Sequence, residues 1–330
     1  MINTNIDLNN DIYYQNEYSS LYAVDGGELF TFKYVQGDYE IVFSSIKRAI
    51  KSVSGISVEQ EYYDLETPYG YGGPLTNCYD EDFLKDAFSA YRQECIAQNI
   101  VCEFIRFHPF NRFCQQTKFF DFHAQERQVV IVDLSLATDE RWARYSKNTR
   151  NILRKANKKL AGLKCEESLD AFCKLYQLTM DKNNASDFFY FKKEYFERLS
   201  NIEGVELLAV ELESTTVSAG FFMYGKDIAH YHLSANNSDY FKENGNYALL
   251  DFAFEQAKNR GCKWMMLGGG RSSDENDSLF KFKSKFSGQY LPFFIGGLTF
   301  LPEIKDKLNE MWQQENPDSE LNLFQLYRHS

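Results

Sequence analysis

The sequence predicts an α/β (α+β) protein of two domains, with mixed, mostly antiparallel sheets covered by helices. Three observations carry that expectation. The 330 residues suffice for two cores of ordinary size. Three strand-like runs follow closely over 205–235, then come a polar loop, a helical stretch and one more short apolar run. The first part of the chain repeats a looser version of that order, with a hairpin, a helix and a strand.

In chain order, residues 29–34 and 39–43 flank Gln36-Gly37-Asp38 and read as a hairpin. Residues 65–75 are too rich in Gly and Pro for a regular element. With Tyr69 and Tyr71 they form either a binding loop or a wide turn packed by its rings. Over 80–99, acidic residues open a helix whose Phe83, Leu84, Ala87, Phe88, Tyr91, Cys95 and Ile96 recur at helical spacing. Residues 100–107 are a strand that exits through Arg106-Phe107-His108-Pro109, where the proline holds His108 extended. A histidine there is a structural hydrogen-bonder or a catalyst. Residues 128–134 are another strand. Thr138-Asp139-Glu140 supplies capping groups and Gly162 a stop, so one long helix or two short ones lie between, with Trp142, Tyr145, Ile152, Leu153, Ala156 and Leu160 as the inner stripe. Helices over 169–182 and 191–201 lead to the strands 205–212, 217–224 and 228–235, an antiparallel meander. A helix over 247–260 ends at Gly261. Strands at 263–267 and 291–298 and a helix over 302–312 complete the order.

An apolar share of 44% with 25% charged residues belongs to a globular chain and excludes collagen-like and disordered classes. The 29 Phe and 22 Tyr suit thick cores and polar-tipped cleft walls. No run approaches the roughly 18 apolar residues of a membrane span. The polar, acidic N-terminal stretch lacks the basic and apolar regions of a signal peptide. A cytoplasmic protein with at most peripheral membrane contact is expected. Seven cysteines, at 78, 95, 102, 114, 165, 173 and 262, form no Cys-x-x-Cys pair, so free thiols are expected rather than a disulfide frame or metal site.

A net charge of −11 argues against a general nucleic-acid coat. Residues 141–164 oppose that average with nine Lys or Arg and no acid. Either this is a solvated face paired to the acidic remainder, or it docks phosphates of a nucleotide, a lipid pyrophosphate or tRNA.

The chemical focus is 264–288. Apolar Trp264-Met265-Met266-Leu267 empties into Gly268, Gly269 and Gly270. A polar loop with Arg271, Asp274 and Asp277 follows, then a helical segment interleaving Phe280, Phe282 and Phe286 with Lys281, Lys283 and Lys285. Three adjacent glycines remove all side-chain bulk, which suits either the approach of another molecule or a plain strand-to-helix turn. The two aspartates are either amine-orienting carboxylates or solvated loop residues. No Ser-His-Asp or Cys-His pattern is evident. Acyl transfer to an amine does not need one: it requires a neutral amine, a held carbonyl and donors aimed at the oxyanion. His230 and His232, alternating with Tyr231 on the third meander strand, are candidate general bases.

These residues resemble a family. Antiparallel meander, loop, helix and strand is the order of the Gcn5-related N-acyltransferase (GNAT) superfamily. Leu267-Gly268-Gly269-Gly270 with the run LFKFKSKF at 279–286 resembles its Fem family. These are peptidoglycan-bridge aminoacyltransferases and related acyltransferases of cell-wall and surface-polysaccharide pathways. NTRNILRKA at 148–156 resembles the start of their second domain, and YGYGGP at 69–74 a loop of their first.

The resemblance implies a tandem pair of GNAT-like domains, 1–138 and 139–299, with a C-terminal helix within 300–330 returning to the first and the acceptor in the cleft between them. Phe282 and Lys283 fall on the family's Phe-Lys pair. Lys283 would hold phosphate oxygens or offset the oxyanion, and Phe282 would wall the site. Tyr69, Tyr71, Arg106, His108, Tyr195, Tyr231, Gly268, Gly269, Gly270 and Arg271 become acceptor-binding candidates. No metal and no tightly bound cofactor are implied. The donor would be acetyl- or another acyl-coenzyme A, or aminoacyl-tRNA meeting the 141–164 segment. Coenzyme A users carry [Arg/Gln]-x-x-Gly-x-[Gly/Ala] before the helix. Here Lys242-Glu243-Asn244-Gly245-Asn246-Tyr247 keeps one glycine, so Lys242, Gly245 and Asn246 are the cofactor-binding candidates. Members that bind a nucleotide-linked muropeptide place an arginine four residues before a tyrosine. Here Phe191 precedes Tyr195. The long tRNA-binding helical hairpin of some members has no room between 141 and 201. The activity implied is acyl or aminoacyl transfer to an amine of a cell-wall or surface-polysaccharide precursor. The alternative is a non-catalytic binding protein that keeps the fold.

Overall fold

The computed structural model describes residues 6–24, 26–164, 169–186 and 189–329. In chain order the elements begin α1 (Asn16–Ser19), β1 (Gly27–Gln36), β2 (Tyr39–Ala49), β3 (Ser52–Val53), β4 (Ile56–Ser57), β5 (Tyr63–Glu66), β6 (Leu75–Thr76), α2 (Glu81–Ala97), β7 (Ile100–Arg106) and β8 (Phe122–Asp133). They continue with α3 (Thr138–Ala143), α4 (Lys147–Lys159), β9 (Ala161–Lys164), α5 (Leu169–Lys182), α6 (Lys193–Ser200), β10 (Val205–Leu212), β11 (Thr215–Tyr224) and β12 (Ile228–Asn236). The last are α7 (Gly245–Asn259), β13 (Trp264–Gly268), α8 (Ser278–Lys283), β14 (Gln289–Thr299) and α9 (Pro302–Glu315). Two compact units result: residues 1–9, 13–126 and 292–330 form one, and 10–12 with 127–291 the other. Their bounds fall inside β8 and β14, the second of them at Pro292.

In the first unit the strand order is β1-β2-β5-β7-β14, with β6 also on β2. All pairs are antiparallel except β5 with β7, which α2 joins as a crossover. Asp80 caps α2, its carboxylate accepting from the Asp82 and Phe83 amides. Phe83, Leu84, Ala87, Phe88, Tyr91 and Cys95 face the core, whereas Ile96 points outward. Tyr91 stacks on Phe43 at 4.0 Å between ring centres. Its hydroxyl donates to Glu103, as does that of Ser45, while burial pushes the Glu103 carboxyl up to about 7 against both bonds. A second cluster gathers Leu308 and Trp312 of α9 with Val101, Cys102 and Tyr327. There the fully buried Asp64 accepts from Arg328 Nε at 2.7 Å, from Arg328 Nη2 at 3.0 Å and from the Tyr327 hydroxyl at 3.0 Å.

In the second unit the order is β9-β10-β11-β12-β13-β8. Again one pair is parallel, β12 with β13, and again a helix, α7, makes the crossover. Each unit is thus an antiparallel run, a helical crossover to a parallel strand, and one final antiparallel neighbour. That repeat is the tandem architecture. One cluster places Leu153 and Ala156 of α4 and Leu249, Leu250 and Phe254 of α7 with Leu208, Phe222 and Met265. The opposite side of β11 packs Phe221 on Phe172 of α5 and Phe196 of α6.

The basic segment is two helices. Ser146 breaks the run and caps α4, accepting from the Thr149 amide. Trp142, Tyr145, Ile152, Leu153, Ala156 and Leu160 all join the core cluster. Gly162 is no helix stop. The helix ends at Lys159, and Gly162 sits in edge strand β9, where a Cβ would lie 2.7 Å from the Phe252 ring. Cys78, Cys95, Cys102, Cys114, Cys173 and Cys262 are free thiols, and Cys165 lies outside the described residues. Among the described residues no helix is long and apolar enough to cross a membrane.

Removing one partner of a buried ion pair leaves the other charge desolvated. Arg328→Ala is therefore expected to lower the stability of the first unit by about 2 kcal/mol, with Arg48, 3.4 Å from Asp64, limiting the loss. The urea midpoint of the variant measures it, and an unchanged midpoint would contradict this reading of Asp64.

Candidate active site

The glycine loop is built from within. Gly268 ends β13 with φ of +76°, a backbone that side chains adopt at a cost. A Cβ on Gly269 would lie 2.7 Å from Arg127 Cδ and 2.8 Å from the Gln128 carbonyl oxygen. On Gly270 it would lie 2.5 Å from Asp277 Oδ1. The triple glycine thus admits the chain's own Arg127 and Asp277. Two cations then grip successive carbonyls of the loop: Lys283 Nζ donates to Gly269 O at 2.7 Å and Arg127 Nη1 to Gly270 O at 2.6 Å.

Asp277 closes the loop as the cap of α8, accepting from the Leu279 and Phe280 amides at 2.9 Å each. Partial burial works against its charge, but bonds from Phe280, Arg271 and Leu279 amides hold the carboxyl below its ordinary value. Its loop neighbour Asp274 accepts from the Asn276 amide. Asp277 therefore has a structural duty. Arg271 is exposed and donates to Asn183 Oδ1 at 3.1 Å.

Lys283, at the end of α8, is only 8% exposed. Burial strips the ammonium of water and pulls it down from 10.5 to about 7; Asp277 opposes that shift and Arg127 adds to it. The Tyr231 ring faces Nζ with its centre 5.9 Å away, and stacks on Phe222. Phe282 turns into the core, edge-on to Tyr247 at 5.2 Å and to Phe286 at 5.5 Å.

The histidines lie on the other side of the sheet. β12 carries one extra residue at His232, a bulge opposite Phe221 and Phe222. His232 Nε2 meets the Tyr195 hydroxyl of α6 at 3.1 Å, and the Tyr195 ring stacks on Phe191 at 4.2 Å. Burial, and then His230, push His232 down to about 3, so it is neutral at physiological pH and a weak base. His230 is fully buried with Nε2 2.7 Å from Asp11 Oδ2. The structure brings together Lys283, Tyr231 and the three glycines; it does not bring His230 or His232 to them. Arg127, by contrast, lies in an ordinary strand pattern and carried no sequence signal.

The start of α7 stands at the same end of the sheet as the glycine loop, because β12 and β13 run parallel and α7 begins where β12 has ended. Asn244 adopts φ of +57° and gives α7 no side-chain cap. Gly245 is required: a Cβ would lie 2.6 Å from Val217 Cγ1. Lys242 is exposed beside it, Asn246 is half-buried, and Glu243 pairs with Lys159 at 2.8 Å. Tyr247 is buried under α8, and its hydroxyl accepts from Lys285 Nζ at 2.8 Å.

In the first unit, the tyrosine loop is laced to the end of β7. The Gly72 amide donates to Arg106 O at 2.7 Å, and the His108 amide to Gly72 O at 2.9 Å. Tyr71 packs edge-on against His108, Tyr13 and Phe293. Tyr69 accepts at its carbonyl from the Tyr18 hydroxyl. Arg106 is committed to Glu66 and to the Thr67 carbonyl, and His108 is fully buried with Nδ1 accepting from the Phe110 amide.

Residues 147–283 match the family model of the acetyltransferase (GNAT) domain. No protein of curated function matches the sequence. Among solved structures the chain is similar to FemX, with a TM-score of 0.72 at 12% identity over 90% of this chain and 94% of that one. It is also similar to the C-terminal domain of an assigned lysylphosphatidylglycerol synthetase from Agrobacterium fabrum (TM-score 0.53, 13% identity, 85% and 88% covered). L-PGS from Bacillus licheniformis gives a TM-score of 0.50 at 14% identity, with 84% and 86% covered. Residues 147–283 of the second unit are thus a GNAT-type acetyltransferase domain, and the whole chain, with its repeated strand order, has the fold of FemX.

Proposed function

We propose that the protein transfers an acyl or aminoacyl group to an amine of a cell-wall or surface-polysaccharide precursor, with the reacting carbonyl at the exit of β13. The observation that carries this reading is Lys283: a buried ammonium at the Gly268–Gly270 loop, shifted to about 7 and held by a single carbonyl bond. A desolvated donor of that kind stabilises the oxyanion of a tetrahedral intermediate far better than a solvated lysine. The neutral acceptor amine attacks, the carbonyl oxygen takes the negative charge beside Lys283, and the intermediate collapses by breaking the donor's thioester or ester bond, the leaving sulfur or oxygen taking up the proton that the amine loses. Tyr231 shields the ammonium from water. The acceptor class rests on the sequence resemblance to the Fem family, which the FemX-like fold supports.

Acyl-coenzyme A or aminoacyl-tRNA serves as donor. The uncapped first turn of α7 beside Gly245, with Lys242 at its rim, suits a pyrophosphate. Tyr247, filling the place of the second small residue, favours the second reading, a GNAT fold that has lost donor binding and keeps only a ligand. Thermal-shift titrations with acetyl-coenzyme A and with aminoacyl-tRNA separate the two: stabilisation by either supports transfer, and stabilisation by neither supports the binding protein.

Two outcomes are expected at Lys283. In a transfer assay with the donor so identified, Lys283→Ala lowers kcat at least 100-fold, about 2.7 kcal/mol or more of transition-state stabilisation, with native circular dichroism. Retained activity in a folded variant would remove the lysine from the mechanism. The second outcome concerns stability. A lysine depressed in the fold carries its full burial cost below about pH 7, where folded and unfolded chains are both protonated; the cost fades as pH rises towards 10.5. Lys283→Met should therefore gain melting temperature over the parent at pH 6.5, and that gain should shrink by pH 9.5. A gain independent of pH would show that the ammonium is not desolvated.

A further inference from the structure

The second unit contains a half-open cleft of about 500 Å³ lined by the end of β8, α3, the start of α4 and the segment that follows α8. Its floor is Arg141, 2% exposed, and Tyr145, 4% exposed. Arg141 Nη2 donates to Glu255 and stands 3.8 Å from Asp251. Its Nε and Nη1, and the Tyr145 hydroxyl, are buried and make no hydrogen bond of good geometry, apart from a weak one between the phenol and the guanidinium. Ser284 Oγ on the same wall is buried and unbonded as well. Orphaned buried donors of this kind are rare in native folds, and several on one cleft point to a ligand.

Charge narrows the ligand class. Arg144 and Lys285 stand exposed on the lining, and the first turn of the 13-residue α4 opens onto it through Ser146 and Thr149. Glu255 and Asp251 offset Arg141, so the surplus positive potential comes from Arg144, Lys285 and the helix. The one carboxylate on the lining, Asp133, is occupied at Oδ1 by the Ser135 amide and hydroxyl. A forked guanidinium, a phenol, hydroxyls and a helix N-terminus together match a tetrahedral dianion better than a planar carboxylate. The volume exceeds that of a phosphate and leaves room for an attached organic body. The cleft is separate from the glycine loop: Lys283 turns away from it, to Gly269.

We propose that this cleft binds the phosphate monoester or diphosphate of a small molecule. It stands apart from the acyl-transfer reading and from the start of α7.

Isothermal titration of the full chain at low salt with inorganic pyrophosphate and with ADP tests it. Both should bind with Kd below about 1 mM and weaken steeply as salt is raised. Arg144→Glu should weaken both about tenfold and Tyr145→Phe severalfold, with unchanged melting temperature. Equal affinity for the two probes would mean that the phosphates alone are recognised, and tighter ADP binding that the organic body is held too. No binding of either, or binding lost with Lys242→Glu at the start of α7 and kept with Arg144→Glu, would overturn the proposal, and neither result bears on transfer at Lys283.

Discussion

Parallel strands cannot be joined by a tight turn, so a chain that pairs two of them must travel back along the sheet. In the second unit α7 makes that journey between β12 and β13, and the constraint sets where chemistry can happen. The start of α7 and the exit of β13 come to the same end, so uncapped amides and the glycine loop share it. Open parallel strands commonly place ligands at their carboxyl ends for this reason. The first unit obeys the same rule. There the exits of β5 and β7 share one end, and the tyrosine loop is tied across it by Gly72.

The glycine loop shows how such an end is made rigid. Each of its three glycines answers to a different local demand: a left-handed backbone at Gly268, the stem of Arg127 at Gly269 and the carboxylate of Asp277 at Gly270. The loop is filled by its own protein, and the two cations on its carbonyls fix the direction of Lys283. The fold maintains a desolvated ammonium there at a cost in stability, a burden that structural residues rarely carry and functional ones often do.

Much of this was legible in the chain. The meander of β10, β11 and β12 announces itself by strand runs at short spacing, and α2 by Asp80 and its apolar repeat. Lys283 and the glycines stood out because Gly triplets and Phe-Lys alternation are unusual. Other features depend on contacts distant in sequence. Gly162 looked like a helix stop, yet tertiary pairing with β10 drew it into an edge strand under Phe252. His230 and His232 were read as bases from their alternation, but Asp11 and Tyr195, from distant segments, hold them across the sheet from Lys283. Tyr247 looked like a lost glycine and is instead the packing partner of Phe282 and Phe286. Arg127 was invisible, since nothing local marks a strand arginine that clamps a loop 143 residues onward.

The first unit is interrupted by the second, and this bears on how the chain matures as it leaves the ribosome. Residues 127–291 are made as one block, so the second unit can close its sheet around α7 once β13 has emerged. The first unit cannot: β7 waits for the part of β14 beyond residue 292, and Asp64 for Arg328. During that interval a finished unit coexists with an unfinished sheet that has one bare edge and a buried carboxylate that has Arg48 but not yet Arg328 beside it. Pauses in translation between residues 291 and 328 therefore fall where the nascent chain is most open to mispairing and most in need of a chaperone.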